Sequence, residues 1–461
     1  MRDGLGLGDA YAATLERIGA QGEEKAKLAM ATLMWICHSE RPLQVAELCH
    51  ALAVEIGSTY FDNGNVPAVE TLLACCQGLV TVDKEASTFR LVHHTLREHL
   101  SVNHNLFPRS HSTMAETCLT YLNSVQAKDL PATPQPDLSS LPFLKYCSRY
   151  WGTHAKRELS DRTILLAMEL MGEYEDHVAA NALFEQILDP DDIRRACAPP
   201  LFGGLHCASF FGIVDVMTAL LGVGDCDANR GDSAGITPLI WAARGGHEDA
   251  VELLLGLEAI CPNKQGNDGG TPLWWAACKG HASVVKQLLD RKDVKPDQPE
   301  NEGITPLLMA AFIGHESVVK QLLDQEDVNP DEPIPGGHTP LLVAAAEGHA
   351  AVVKQLLDRV DVDPDKPNNQ GTTPLSFAAA EGHESVVKQL LDRKDVDPNK
   401  PDNEGRTPLS CAAVNGHESV VKQLLDLGNV HLDRQDNGGK TPALLAAGQG
   451  HRAIVKLLWG R

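Results

Sequence analysis

Positive charge is what this 461-residue chain lacks most: 40 Lys and Arg stand against 62 Asp and Glu, a formal net charge of −22. The deficit runs throughout, −9 over residues 1–200 and −13 over the remainder. Neither part offers the basic field that draws phosphate backbones or anionic lipid, so nucleic acid and membranes are expected to be poor partners. Aromatic residues make up only 5%, which suits a core filled by small aliphatic side chains. No apolar run reaches the ~18 residues that would suggest a bilayer span. The start, Met1-Arg2-Asp3-Gly4-Leu5-Gly6, has no apolar stretch long enough for a signal peptide. The 12 cysteines form no CxxC, and Cys75-Cys76 is their only close pair. Reduced thiols and a cytoplasmic location are therefore expected. HExxH, GxSxG and local Cys-His-Asp groupings are also missing, so the chain is expected not to be an enzyme and to need no cofactor.

What is there is a folded protein with a repeat. A hydrophobic share of 43% and a charged share of 22% suit an ordinary globular chain, and its length calls for two or three units. Thr-Pro recurs at Thr237, Thr271, Thr305, Thr339, Thr373, Thr407 and Thr441, every step being 34 residues. Gly-His keeps the same phase at His247, His281, His315, His349, His383, His417 and His451. A third mark is the apolar run Val-Val-Lys-Gln-Leu-Leu, as in Val318–Leu323, Val386–Leu391 and Val420–Leu425. Gly203-Gly204-Leu205-His206 aligns one step earlier, giving about eight units with the first degraded.

Within a unit, Thr caps a helix and Pro takes its first position, where a missing N–H costs nothing. Leu375, Ala378 and Ala379 make a narrow apolar stripe that admits a close neighbour, and Gly382-His383 closes the helix. Glu384-Ser385 opens a second helix whose Val386, Val387, Leu390 and Leu391 form a wider stripe. The Pro-, Asn- and Asp-rich stretch Asp395–Gly405 predicts an extended loop and turn. Such a unit cannot bury its own stripes and is stabilised by stacking on its neighbours.

Two positions before each Gly-His vary, as does the residue before Thr. Framework fixed and surface free is the pattern of a recognition face. The expected protein-binding residues are Arg244, Lys279, Phe312, Ile313, Glu347, Glu381, Asn415, Ile304, His338 and Arg406. Phe312 and Ile313 lead, because large exposed apolar groups mark interfaces; local packing is the competing reading. Other motifs fail on their chemistry. Gly438-Gly439-Lys440-Thr441 ends like a phosphate loop, but Arg434 stands where the earlier Gly is required. Asp395-Val396-Asp397-Pro398-Asn399 starts like a calcium loop, yet Lys400 and Arg406 replace its Gly and Glu. The repeat histidines recur too far apart to share a metal ion and are expected to bond the turn between paired helices.

In the N-terminal part, residues 9–40 read as helical. Pro42 is expected to open a second helix through Val45, Leu48 and Leu52. A third would run from Val66 to Gln77 and end at Gly78. Strands follow at Leu79–Asp83 and Thr88–Val92 around the turn Lys84-Glu85-Ala86, then a helix near Thr95. Three helices and a hairpin predict a winged helix.

The repeated TPLxxAAxxGH followed by VVKxLL resembles the ankyrin repeat family, over roughly residues 201–461. Here Arg393-Lys394-Asp395-Val396 replaces that family's Gly-containing link and adds one residue. The resemblance implies an α-solenoid that binds a protein ligand on its concave face. Glu40-Arg41-Pro42-Leu43, Leu72-Leu73-Ala74-Cys75-Cys76 and Leu91-Val92-His93-His94-Thr95 are similar to a winged helix of the GPI inositol-deacylase type. That module follows the NACHT nucleoside-triphosphatase in fungal NACHT–ankyrin receptors. Tyr150-Trp151-Gly152-Thr153-His154 resembles the helical spacer of the same proteins.

The expected organisation is a winged-helix part over 1–103, a spacer over 104–200 and the array over 201–461. The receptor resemblance implies NLR-like signalling and a NACHT domain as a further partner. It also makes His93 the counterpart of the histidine that touches nucleotide phosphate in a Met-His-Asp motif, although His94 replaces the Asp; a structural role at the strand–helix junction is the other reading. A DNA-binding winged helix joined to an ankyrin partner domain is the alternative function. Its would-be recognition helix, Val66–Gln77, carries Glu70 and no Lys or Arg.

Overall fold

The computed structural model describes residues 7–103, 105–131, 137–187, 202–223 and 226–460. The expected junction of spacer and array, near residue 200, lies outside them. The protein is mainly helical and divides into two compact units, Met1–Pro238 and Leu239–Arg461.

In the first unit α1 (Leu7–Gly19) and α2 (Glu23–His38) replace the single helix expected over 9–40. The break falls at Gly22, whose extended ψ lets Glu23 and Glu24 start a new first turn with acid at its positive end. Helix α3 (Val45–Ala53) starts three residues later than Pro42 suggested. Gln44 is its cap: its N–H donates to the Glu47 carboxylate at 2.9 Å, and Arg41 grips the same carboxylate with both Nη atoms at 2.6 and 2.7 Å. Pro42-Leu43 thus stays outside the helix, as part of the lead-in. Pro67 likewise holds Val66 extended, so a 3₁₀ turn (Asn63–Asn65) precedes the shorter α4 (Val69–Cys75). Antiparallel β1 (Val80–Asp83) and β2 (Thr88–Leu91) pair in the register Val80↔Leu91, and α5 (His94–Val102) follows. The winged-helix expectation holds.

Helices α6 (Ser110–Leu122), α7 (Val125–Lys128), α8 (Leu144–Arg157), α9 (Asp161–Met171) and α10 (Val178–Ile187) continue the same core. Met114, Cys118, Tyr121 and Leu122 bury almost every side of α6. Trp35 of α2 meets Phe143 edge-on at 5.4 Å, and Phe143 stacks on Tyr146. Helices α11 (Gly204–Phe211) and α12 (Val214–Gly222) form the degraded first repeat and belong to this unit. The Phe211 ring lies edge-on to Trp151 at 5.3 Å and directly over Gly152, where any Cβ would collide with it. With no Thr to cap α11, His206 Nδ1 accepts from Gly203 N–H, so its Nε2–H donates to the Arg230 carbonyl at 2.9 Å.

Three buried histidines of this unit are held neutral. Burial lowers His154 from an ordinary 6.5 to about 3, and lowers His177 and His206 to about 4. Their folded values lie below the unfolded one, so the unfolded chain takes up protons first. The stability they contribute is full above pH 6.5 and is lost as pH falls toward 4. Thermal unfolding followed from about pH 7.5 to about pH 4.5 is expected to show the first unit's melting temperature dropping steadily once the pH passes below the ordinary histidine value. A profile that stays flat down to about pH 5 would contradict this.

Among the described residues seven further helix pairs run from Pro238–Gly245 with Glu248–Leu255 to Pro442–Gly448 with Arg452–Trp459, eight with the degraded first pair. Each Thr from Thr271 to Thr441 accepts from the N–H three residues on, with Pro at the first helical position. Leu375, Ala378, Ala379, Val386, Val387 and Leu390 are buried, as are their equivalents one repeat either way. No helix among the described residues is long and apolar enough to cross a membrane.

Candidate functional site

Repeats of the second unit are fastened to one another by three ladders. The first is the histidine series. Nε2 of His281, His315, His349, His383, His417 and His451 bonds the carbonyl 37 residues earlier, at Arg244, Cys278, Phe312, Ala346, Ala380 and Val414, over 2.8–3.2 Å. A carbonyl only accepts, so each ring carries its proton on Nε2. The expectation of a bond within the turn is corrected: the partner lies in the preceding repeat. Gly and His are one device spread over two units. Gly348, at φ 79°, leaves the space His383 fills, and a Cβ there would stand 2.6 Å from Nδ1.

The second ladder uses the inserted residues. Arg291, Arg359 and Arg393 donate through Nη1 to the carbonyls of Leu255, Leu323 and Leu357, each at 2.6 Å. These carbonyls end the second helix of the repeat before, where four C=O groups lack helical partners. The same guanidinium grips the carboxylate two residues on, at Asp293, Asp361 and Asp395, over 2.7–3.0 Å. That bond holds these carboxyls below their usual range. An Arg-x-Asp clip thus replaces the glycine link and absorbs the extra residue.

The third ladder runs through the loop tips. Asn301, Asn369, Asn403 and Asn437 donate Nδ2–H to carbonyls 34 residues earlier at 2.7–3.0 Å. Calcium-like Asp397 accepts from Asn399 N–H and Asp395 serves Arg393, so both carboxylates are engaged. In the phosphate-loop mimic, Asp436 accepts from the N–H of Gly438 and Lys440, an ordinary turn. Among the described residues no group of three or more His, Cys, Asp or Glu is arranged to hold a metal ion.

Against this framework the ten expected binding residues separate. Arg244 lies over the rings of Trp241 and Trp275, at 5.4 and 4.4 Å. Half-buried Ile304 offers its carbonyl to Trp274 Nε1. His338 Nε2 meets Asn368 Nδ2 at 3.0 Å, Arg406 is paired to Asp402 and Glu404, and Asn415 donates to the Ala380 carbonyl. These five side chains or their backbones already serve the array. Lys279, Phe312, Ile313, Glu347 and Glu381 stand exposed, Phe312 at 46% and Ile313 at 39%. All five close the first helix of four consecutive repeats, so an apolar pair is flanked by a cation on one side and two carboxylates on the other.

The first unit holds a cleft of about 380 Å³ beside β2. Ile36, Pro42, Leu43, Phe89 and Leu91 give it apolar walls, and Arg90, His93, His94 and Arg97 line it with positive or protonatable groups. His93 is exposed and caps α5: its Nδ1 accepts from Thr95 N–H at 3.3 Å and lies 2.8 Å from Thr95 Oγ1. Sequence reasoning missed the Arg-x-Asp clip, the asparagine series and this cleft. The recurrence of Arg and Asn in repeat phase was the available signal for the first two.

Stacked helix pairs that touch only their sequence neighbours define a helical-repeat solenoid. Residues 205–300, 307–402 and 375–460 match the family model described as ankyrin repeats (3 copies), and residues 15–119 match the GPI inositol-deacylase, winged helix domain. The ankyrin matches span more than half of the chain, which belongs to the ankyrin-repeat family. No curated protein matches it. Ankyrin repeats generally bind proteins and are typically non-enzymatic, and the winged-helix module alone is not catalytic.

Proposed function

We propose that the protein is a non-catalytic scaffold or sensor whose repeat array captures a protein ligand on its concave face, through Phe312 and Ile313 flanked by Lys279, Glu347 and Glu381. The supporting observation is the contrast on one helix. Leu307, Leu308, Ala310 and Ala311 are buried between neighbours, while the next two residues expose large apolar surface. Single exposed apolar residues are ordinary, but an adjacent pair rimmed by charge is the composition of an interface centre. Arg244, Ile304, His338, Arg406 and Asn415 shape the rim from positions fixed by the array.

The proposed organisation is a winged-helix part over 1–103, a helical spacer over 104–200 and the array over 201–461. The proposed setting is an NLR-like recognition system of the cytoplasm, with a NACHT domain as a second partner. That setting rests on the order winged helix, spacer, ankyrin array. A DNA-reading role has less support, since α4 carries Glu70 and no Lys or Arg. Affinity capture with the intact chain and with Phe312→Ala/Ile313→Ala tests the contact patch. A captured protein should bind the double variant at least about tenfold more weakly, a loss of ~1.4 kcal/mol. Equal binding by a variant of unchanged stability would remove the patch.

A further inference from the structure

The cleft beside β2 is bordered by a strand edge that no other strand covers among the described residues. Pairing alternates along the hairpin: Val92 N–H bonds the Leu79 carbonyl toward β1, so the odd residues of β2 direct their backbone groups the other way. Ser87 agrees with that direction, its carbonyl accepting from Val45 N–H on the outer side. An isolated bridge, Gln44↔Thr88, begins a third strand there, but it goes no further. In that register Leu43 N–H would serve the Phe89 carbonyl and the Arg41 backbone would serve Leu91, but neither bond forms among the described residues, and the Arg41 side chain is turned to Glu47. The Leu91 N–H and C=O and the Phe89 C=O therefore face the cleft without a hydrogen-bond partner among the described residues.

We propose that this cleft receives an extended acidic segment of a partner protein, which adds to the outer edge of β2 as a strand. Leu91 and Phe89 supply main-chain hydrogen bonds, the means by which exposed edges take up peptides. Leu43 and Ile36 give the apolar floor for alternate side chains. The acidic character follows from the walls: among the described residues Arg90 and Arg97 line the cleft and no carboxylate does, in a chain whose net charge is −22. Arg90 is partly neutralised by Asp83 at 2.8 Å, whereas Arg97 donates to the Ile36 carbonyl and keeps its charge for an incoming anion. This site is separate from the repeat face and stands or falls independently of it.

The test uses the full chain and labelled peptides of about eight residues alternating Glu with Val or Ile, read by fluorescence anisotropy. At least one should bind at or below about 100 μM, the range of a short augmenting strand. Methylating alternate peptide nitrogens should weaken it at least about tenfold, and Arg97→Gln by a similar factor. Amide exchange at Leu91 should slow when peptide is bound. Binding by none of the peptides, equal binding of the methylated peptide, or unchanged exchange at Leu91 would overturn the proposal. So would displacement by pyrophosphate at matched ionic strength together with indifference to methylation, which would make the cleft a simple anion site. The peptide-side change decides the matter even if Arg97→Gln unfolds the unit.

Discussion

Gly348→Ala is expected to destabilise the repeat array by about 3 kcal/mol, because two costs add. At φ 79° an alanine is strained by ~1–2 kcal/mol. Its Cβ would also stand 2.6–2.9 Å from the His383 ring, which must move and give up its 2.8 Å bond to the Ala346 carbonyl. Losing that bond and leaving the carbonyl short of a donor adds roughly 1–2 kcal/mol. The two residues are far apart in sequence, one in each of two adjacent repeats, and their coupling is the signature of the device. In a His383→Ala background the collision is gone, so Gly348→Ala should then cost only the strain of about 1–2 kcal/mol. Urea unfolding of the four chains of this cycle gives the coupling directly. Additive losses would show that the ring and the glycine are merely neighbours.

Trp151→Ala should cost the first unit about 4 kcal/mol, in the range for emptying a large buried ring. Trp151 is fully buried on α8 and packs against Phe211 of the first repeat, whose ring covers Gly152 next to it. The substitution therefore removes the surface on which α11 is seated. Proteolysis within residues 204–222 should report loosening of that repeat before the hairpin of β1 and β2 is lost. A melting temperature unchanged within about a degree would mean that the first repeat is held by something else.

Local chemistry explains what the sequence disclosed. Thr caps the helix that follows it, Pro starts that helix and Gly ends it, so each signal and its effect lie within one turn. The repeat phase then reinforces a weak local inference at every step. Bonds that cross between repeats were not legible in the same way. His383 looks like part of its own turn, yet its partner lies 37 residues back, and Arg393 reaches 36 residues back to Leu357. Only the stacking distance turns those separations into contacts. In the first unit the misplaced starts of α3 and α4 share one cause. Pro42 reads as a helix opener and Val66 as the start of the third helix, but Pro42 and Pro67 each lie in an extended lead-in and the helix begins two or three residues beyond the proline. The same displaced lead-in at Pro42 leaves the edge of β2 open, a consequence of tertiary placement that no local pattern carries. Among the expected binding residues, exposure of Phe312 and Ile313 followed from their place after the Ala-Ala pair. The engagement of Arg406 by Asp402 and of His338 by Asn368 depended on loop geometry that spacing alone does not specify.

The claim that an open repeat face grips a protein is tested most directly by photo-crosslinking. Benzoylphenylalanine placed at Phe312 should, in the native cell extract, form an adduct with a discrete protein, while the same group at fully exposed Val360 should not. Adducts of equal yield at both positions, or none at Phe312 from a folded chain, would contradict the account.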